Sequence, residues 1–223
     1  MCGRYVRKNS EEVIFSFFEI NDIRIPWKPN YNVAPTTQIP VIRSEDDGKR
    51  ELIEMRWGLI PFWAKPQEKL PMMINARAET VSSKPSYRSA FKSRRCLVPA
   101  SGYYEWKKLA GGTKQPFYFQ RSDGHPIAFA AIWDGATFAT ITTTPNEEAA
   151  PVHDRMPVIL EKENFARFLN PEPLSEDEQK RLLAPSPNGT LVTCPVDRAV
   201  GNVRNNDPAL IDPIPKREDE LRS

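Results

Sequence analysis

The chain has 223 residues, 27% of them charged and 39% drawn from AVILMFWYC, which is enough apolar content to build a core and too much for a disordered polypeptide. Its 31 basic and 29 acidic residues leave a formal charge of +2, which excludes a histone-like polycation but allows a local basic groove, because binding follows where Arg and Lys sit. Pro outnumbers Gly by 22 to 10, which excludes a long helical bundle and favours short elements on stiff connections; the length fits a single domain over 1–223 whose tail frays from about residue 213.

The amino-terminal MCGRYVRKNSEE lacks the apolar core of a secretory signal, and no apolar run approaches the roughly 20 residues that cross a bilayer, so a soluble, cytoplasmic protein without membrane contact is expected. Ser10, followed by Glu11 and Glu12, marks a helix start, with Val13, Ile14, Phe17 and Phe18 recurring on one face. Residues 38–43 and 51–57 read as strands of a hairpin, Ile53, Met55 and Trp57 alternating, with the turn in EDDGK. PFWAKPQEKLP, residues 61–71, is a rigid Pro-punctuated loop carrying Phe62 and Trp63. From residue 96, the runs CLVPA, GYYEWK, PFYFQR, PIAFAAIWD and TFATITT, broken by turn residues, predict antiparallel strands in a sheet that curls or closes. Two helices follow, the second opened by Ser175 with Glu178 at capping-box spacing, then the strand TLVTCPV and the tail KREDELRS.

Three cysteines, Cys2, Cys96 and Cys194, form no Cys-x-x-Cys pair, and His125 and His153 are dispersed, so neither a disulfide framework nor a zinc site is expected, and no cofactor is implied. Cys96 and Cys194 sit in apolar strand-like runs and read as small buried hydrophobes. Cys2 differs. Initiator methionine is normally trimmed before a small second residue, and the mature chain then begins with an α-amine and a thiol on one residue. An α-amine is about one-seventh neutral at pH 7, so it can attack an aldehyde to give an imine, and the adjacent thiol can close a five-membered thiazolidine. The competing reading is a mobile terminus in which Cys is merely tolerated.

The runs Met1-Cys2-Gly3-Arg4-Tyr5, Tyr31-Asn32-Val33-Ala34-Pro35, Arg56-Trp57-Gly58-Leu59-Ile60-Pro61, Ile74-Asn75-Ala76-Arg77-Ala78-Glu79-Thr80, Tyr104-Glu105-Trp106-Lys107 and His153-Asp154-Arg155-Met156-Pro157, in this order, resemble the SOS response-associated peptidase family, as does Ala199-Val200-Gly201-Asn202-Val203 near the end. The resemblance implies an α+β fold: a single β-rich domain with a strongly curved, barrel-like antiparallel sheet, peripheral helices and a positively charged cleft. It implies covalent capture of the ring-opened aldehyde of an abasic site, preferably in single-stranded DNA, as a thiazolidine on Cys2, with Asn75, Glu105 and His153 completing the site and Thr142 beside the sugar. The inserted-looking QEKL between Trp63 and Asn75 and the anchor-poor stretch between Thr144 and His153 depart from the family pattern.

The residues themselves fit that chemistry. Alternation in GYYEWK sets Tyr103, Glu105 and Lys107 on one strand face, and apolar surroundings there would raise the Glu105 pKa toward neutrality, as a proton carrier needs. His153 titrates near pH 7 and suits a hydrogen bond to the sugar hydroxyl, while Asn75 can orient the α-amine without competing as a nucleophile. Taken alone, Glu105 reads first as an exposed strand charge, His153 as a loop or core histidine, and Asn75 as a turn residue. Arg4, Arg77 and Arg155 can bind phosphates, and Phe62 and Trp63 can stack on bases; surface ion pairs and core packing are the alternatives. No base-reading motif is present, so recognition would rest on backbone shape and the aldehyde. A cysteine peptidase with Cys2 as nucleophile and His153 as base, and a non-catalytic single-strand-binding module, remain open. No obligate protein partner is implied, and a monomer suffices.

Overall fold

Strand β1 (Tyr5–Arg7) forms almost at once, and helix α1 (Glu11–Phe18) follows from Ser10, whose hydroxyl accepts the Val13 N–H at 3.4 Å while Glu11 and Glu12 face the positive helix end. Ile14 and Phe18 are buried, but Val13 is 44% exposed. At 100° per residue it lies on the flank of the stripe that Ile14 and Phe18 define, so the buried face is narrower than the sequence suggests. The computed structural model describes residues 2–45, 48–65 and 72–214. The QEKL segment and the KREDELRS tail lie outside these described residues. Ile214, the last of the described residues, donates its N–H to Pro195 O at 3.0 Å.

Strands β2 (Asp22–Ile23) and β3 (Asn30–Val33) lead into the expected hairpin of β4 (Gln38–Ser44) and β5 (Arg50–Trp57), in register from Gln38–Arg56 to Ser44–Arg50. Next come β6 (Asn75–Arg77), helix α2 (Arg88–Ser93), β7 (Arg95–Ala100), β8 (Gly102–Lys108), β9 (Lys114–Arg121), β10 (Ile127–Asp134) and β11 (Thr137–Thr143). The chain closes with β12 (Met156–Pro157), α3 (Phe165–Leu169), α4 (Glu176–Leu182) and β13 (Leu191–Pro195). Helix α4 begins with the anticipated capping box, Ser175 Oγ accepting the Glu178 N–H and Glu178 accepting the Ser175 N–H at 2.7 Å.

The fold is α+β and mostly β. In one five-stranded sheet, ordered β13-β9-β8-β1-β3, every pairing is antiparallel. The second sheet runs β12-β11-β10-β7-β4-β5-β2, and a parallel pairing of β11 with β5, Phe138 opposite Trp57, closes β11-β10-β7-β4-β5 into a ring. Parallel pairings also join β6 to β11 and β2 to β5, so this barrel is mixed rather than purely antiparallel. The strands after residue 96 divide between the sheets: β7, β10 and β11 enter the barrel, while β8 and β9 cross to the other sheet. Period-two alternation reports a face, not a sheet, which is why the sequence shows one series.

Alternation sorts the barrel's side chains into two layers. Ile42, Leu52, Leu97, Ala130 and Ile141 meet the helices through Phe18, Phe91 and Phe165, whereas Val41, Met55, Trp57, Val98, Phe129 and Phe138 meet Tyr5, Tyr103 and Phe119 of the other sheet. On the helix side the buried Arg95 guanidinium donates to carbonyls at or beyond the carboxyl ends of α2 and α3: Phe91 at 2.7 Å, Lys92 at 2.7 Å, Phe168 at 2.7 Å, Asn170, and Glu172 at 2.8 Å. Those carbonyls have no intrahelical donor and lie at the negative end of the dipole. None of the helices among the described residues is long and apolar enough to cross a membrane.

The crossing between sheets is made at Ser101 and Gly102. Ser101 Oγ accepts the Lys8 N–H at 2.8 Å, tying the crossing to the segment after β1. A Cβ on Gly102 would lie 2.4 Å from both the Phe119 carbonyl and the Tyr118 hydroxyl, so no side chain fits without moving backbone. Gly102→Ala is expected to lower the free energy of unfolding by about 3 kcal/mol, the upper end of the ordinary overpacking cost, as measured by urea denaturation.

Candidate active site

The first residue of interest is held in the interior. Cys2 is 1% exposed and packs with Tyr5, Tyr103 and Phe129 between the sheets. Its carbonyl accepts Asn75 Nδ2–H at 2.9 Å. Asn75 therefore acts on the carbonyl side of Cys2, where the sequence suggested contact with the amine. The amide is itself oriented: Thr140, directly opposite Asn75 in the β6–β11 pairing, hydrogen-bonds Asn75 Oδ1 through its hydroxyl, leaving Nδ2 to face Cys2. Tyr87 donates to the Asn75 carbonyl at 3.1 Å, and Trp57 Nε1 donates to the preceding Ile74 carbonyl at 2.9 Å. Thr140 was not singled out from the sequence, yet TFATITT carries the signal, since Thr140 shares the inward face of β11 with Phe138 while Ala139 and Ile141 face the helices.

Glu105 lies on the β8 face of Tyr103 and is 3% exposed, while Tyr104 and Trp106 point to the opposite cluster with Val6 and Val200. Burial pushes its carboxyl up to about 7 from 4.5, so near neutral pH it can both give and accept a proton. His153, just before β12, has Nε2 at 3.9 Å from Glu105 Oε2. Burial, followed by positive charge, holds its pKa below the ordinary 6.5, against the pull of Asp154. Nδ1 lies 3.0 Å from the Arg155 N–H and 2.9 Å from Asp154 Oδ1, and one ring nitrogen cannot accept from the first while donating to the second. The lowered pKa favours the neutral ring that accepts from Arg155 and carries its proton on Nε2, toward Glu105. Residues from four separated segments thus converge, Cys2 with Asn75 and Glu105 with His153, and Glu105 is close enough to add to the burial that pushes the Cys2 thiol up. The sulfur is S–H at neutral pH.

The remaining candidates are placed less uniformly. Arg155 forms a bidentate pair with Glu79 at 2.6 and 2.9 Å and donates to the Thr142 carbonyl at 2.6 Å. Thr142 is wholly buried, its Oγ1 3.4 Å from the Ala76 carbonyl. Arg4 donates to Asn32 Oδ1 at 2.8 Å and to the Val200 carbonyl at 2.9 Å. Arg77 is exposed at the end of β6, and Phe62 and Trp63 are 72% and 45% exposed. Away from this site, carboxylate oxygens of Asp22, Glu45 and Glu51 lie within 4.8 Å of one another, but the Arg24 and Arg43 guanidinium groups are already paired with them.

A family model described as SOS response associated peptidase (SRAP) matches residues 1–203. The chain is 39% identical over 224 residues to the abasic site processing protein YoqW of Bacillus subtilis, covering 95% of this chain and 99% of that one. It is 34% identical over 232 residues to the abasic site processing protein YedK of Escherichia coli, covering 96% and 100%. A crystal structure of a protein from Bacteroides thetaiotaomicron superposes with a TM-score of 0.73 at 30% identity, over 93% of this chain and 92% of that one.

The raised Glu105 pKa has a thermodynamic consequence. From pH 4.5 to about 7 the folded chain keeps a proton that the unfolded chain has released, so this group's contribution to stability falls as pH rises through that window and levels off above it. Glu105→Gln has no such proton to lose. Its unfolding free energy is expected to gain on that of the parent by about 3 kcal/mol across the window, read by urea denaturation at each end.

Proposed function

The chain belongs to the SOS response associated peptidase family, and on that premise we propose that it processes abasic sites in DNA by joining Cys2 covalently to the ring-opened sugar. The observation that carries the reading is the buried Cys2 whose carbonyl is fixed by Asn75 Nδ2, beside a carboxyl whose pKa lies near 7. Removal of Met1 frees the Cys2 amine. Its neutral fraction attacks the aldehyde carbon, the C–N bond forms, water leaves, and an imine results. As the ring C–O bond breaks, Glu105 protonates the ring oxygen and takes the proton of the anomeric hydroxyl, which becomes the aldehyde; it then serves the carbinolamine, giving the proton that departs with water and taking the one released by nitrogen. His153 Nε2–H, beside that carboxyl, hydrogen-bonds the sugar hydroxyl.

The thiol then adds to the imine carbon: S–C forms, S–H breaks, and the nitrogen gains the proton, closing the thiazolidine. Asn75 limits rotation about the first peptide unit so that nitrogen and sulfur meet the same carbon. Arg77, Phe62 and Trp63, all exposed, supply backbone and stacking contacts suited to unpaired DNA. The peptidase reading needs a ready thiolate, whereas burial holds this thiol protonated.

The chain without Met1, mixed with abasic single-stranded DNA, should give a heat-stable adduct on a denaturing gel, attached at Cys2 by mass spectrometry. Cys2→Ser should give only an imine that borohydride traps, and Cys2→Ala no thiazolidine; an unchanged heat-stable adduct in Cys2→Ala would overturn the reading. Thr140→Val removes the group that orients Asn75. It is expected to slow adduct formation by about tenfold at equal folded fraction, with Thr140→Ser restoring the rate, as a hydrogen-bond role requires and a packing role does not.

A further inference from the structure

Two hydroxyl groups near Cys2 have no use in the steps above. Tyr5 and Tyr103 face each other across the β1–β8 pairing, and both are almost wholly buried, at 1% and 0% exposure. Their rings are fixed. Each meets Phe129 edge-on, at 5.8 Å for Tyr5 and 6.0 Å for Tyr103; Tyr5 also packs on Trp57, and Tyr103 stacks on Phe119 at 4.9 Å. Neither hydroxyl has a hydrogen-bond partner among the described residues. A buried O–H left without an acceptor costs stability, and Phe would fill the same space without that cost. Both rings pack in the cluster that contains Cys2, and Tyr103 shares its strand face with Glu105.

Burial, above all, raises the ionisation of both phenols, and the Cys2 sulfur adds to the effect, so each keeps its proton through neutral pH and stands as a donor. The same burial opposes charge on the sulfur, and among the described residues the Arg4 backbone N–H is a hydrogen-bond donor that offsets it. Ring closure requires that opposed charge to develop.

Building on the thiazolidine reading, we propose that the Tyr5 and Tyr103 hydroxyls are hydrogen-bond donors to the Cys2 sulfur in the ring-closing step. The protonated Glu105 carboxyl gives its proton to the imine nitrogen and, now the carboxylate, takes the proton released as the S–H bond breaks, while the sulfur electron pair forms the bond to the imine carbon. The phenols donate hydrogen bonds while negative charge is on sulfur and keep their own protons, so no oxidant or further reactant enters. The imine step, which uses the nitrogen, is independent of them. Partner-less hydroxyls in the resting site are thereby assigned to a species that exists only during the reaction.

The test separates the two steps. Tyr103→Phe and the double variant Tyr5→Phe/Tyr103→Phe, each without Met1, are mixed with abasic single-stranded DNA and sampled over time. One portion is reduced with borohydride to count imine; the other is denatured and alkylated, since the thiol is free in the imine and blocked in the thiazolidine. Imine formation is expected to stay within about twofold of the parent, while ring closure slows by about tenfold in the single variant and more in the double, so imine accumulates. A purely structural role predicts the opposite: higher thermal stability from loss of an orphan hydroxyl and ring closure at the parental rate, which would overturn the proposal. If the double variant does not fold, Tyr103→Phe alone carries the same comparison. A parent chain that forms no Cys2 adduct at all overturns the proposed function and this inference with it; a parent that closes the ring alongside variants that close it equally fast overturns the inference alone.

Discussion

The structure depends on a strand of three residues that would ordinarily fray. β1 lies between β8 and β3, with Tyr5 opposite both Tyr103 and Val33 and Val6 opposite Gly102. The Tyr104 N–H donates to the Arg4 carbonyl at 2.9 Å and the Ser101 N–H to the Val6 carbonyl at 2.7 Å. A chain end pays backbone entropy for such order, and here Tyr5 and Val6, both buried, offset it from opposite faces of the sheet. Gly102 makes the arrangement possible by bringing β8 close to Tyr118 and Phe119 at the point where the chain changes sheets. Remove any of these and Cys2 returns to the conformational freedom of a terminus.

Around Cys2 the low-dielectric interior suppresses charge of either sign. It raises the thiol and the carboxyl and lowers the imidazole, so thiol and imidazole are neutral at pH 7 and Glu105 is shared between its forms. Formal charge is kept to the margins, where Arg155 pairs with Glu79 and holds its carboxyl below the ordinary range. The pair also fixes the segment that bears His153, because Arg155 reaches the Thr142 carbonyl with the same guanidinium. A neutral interior with charged supports is well suited to steps in which one proton changes hands at a time.

Much of this was written locally in the sequence. Ser10 and the Ser175–Glu178 box set helix starts, alternation gave the hairpin and the strands from residue 95 to 143, and turn residues separated them. β1, β3 and β6 were not legible, since three or four residues contain too little alternation to register. Helix α2 was missed because Tyr87 makes no side-chain cap. The site was legible through the order of motifs rather than through any one of them: pattern alone could not tell a buried Glu105 from an exposed one, and the partner that engages Arg155 lies 76 positions away. Thr140 was within reach of strand alternation, but Tyr5 and Tyr103 have meaning only once pairing sets them face to face.

The position of β1 also has a mechanical side. Anything joined to Cys2 is tethered a few residues from a strand hydrogen-bonded along both edges, so tension on the attachment is borne by the sheet instead of by a slack leader. A pull applied at Cys2 has to part β1 from both of its neighbours, β8 and β3, before that residue comes free.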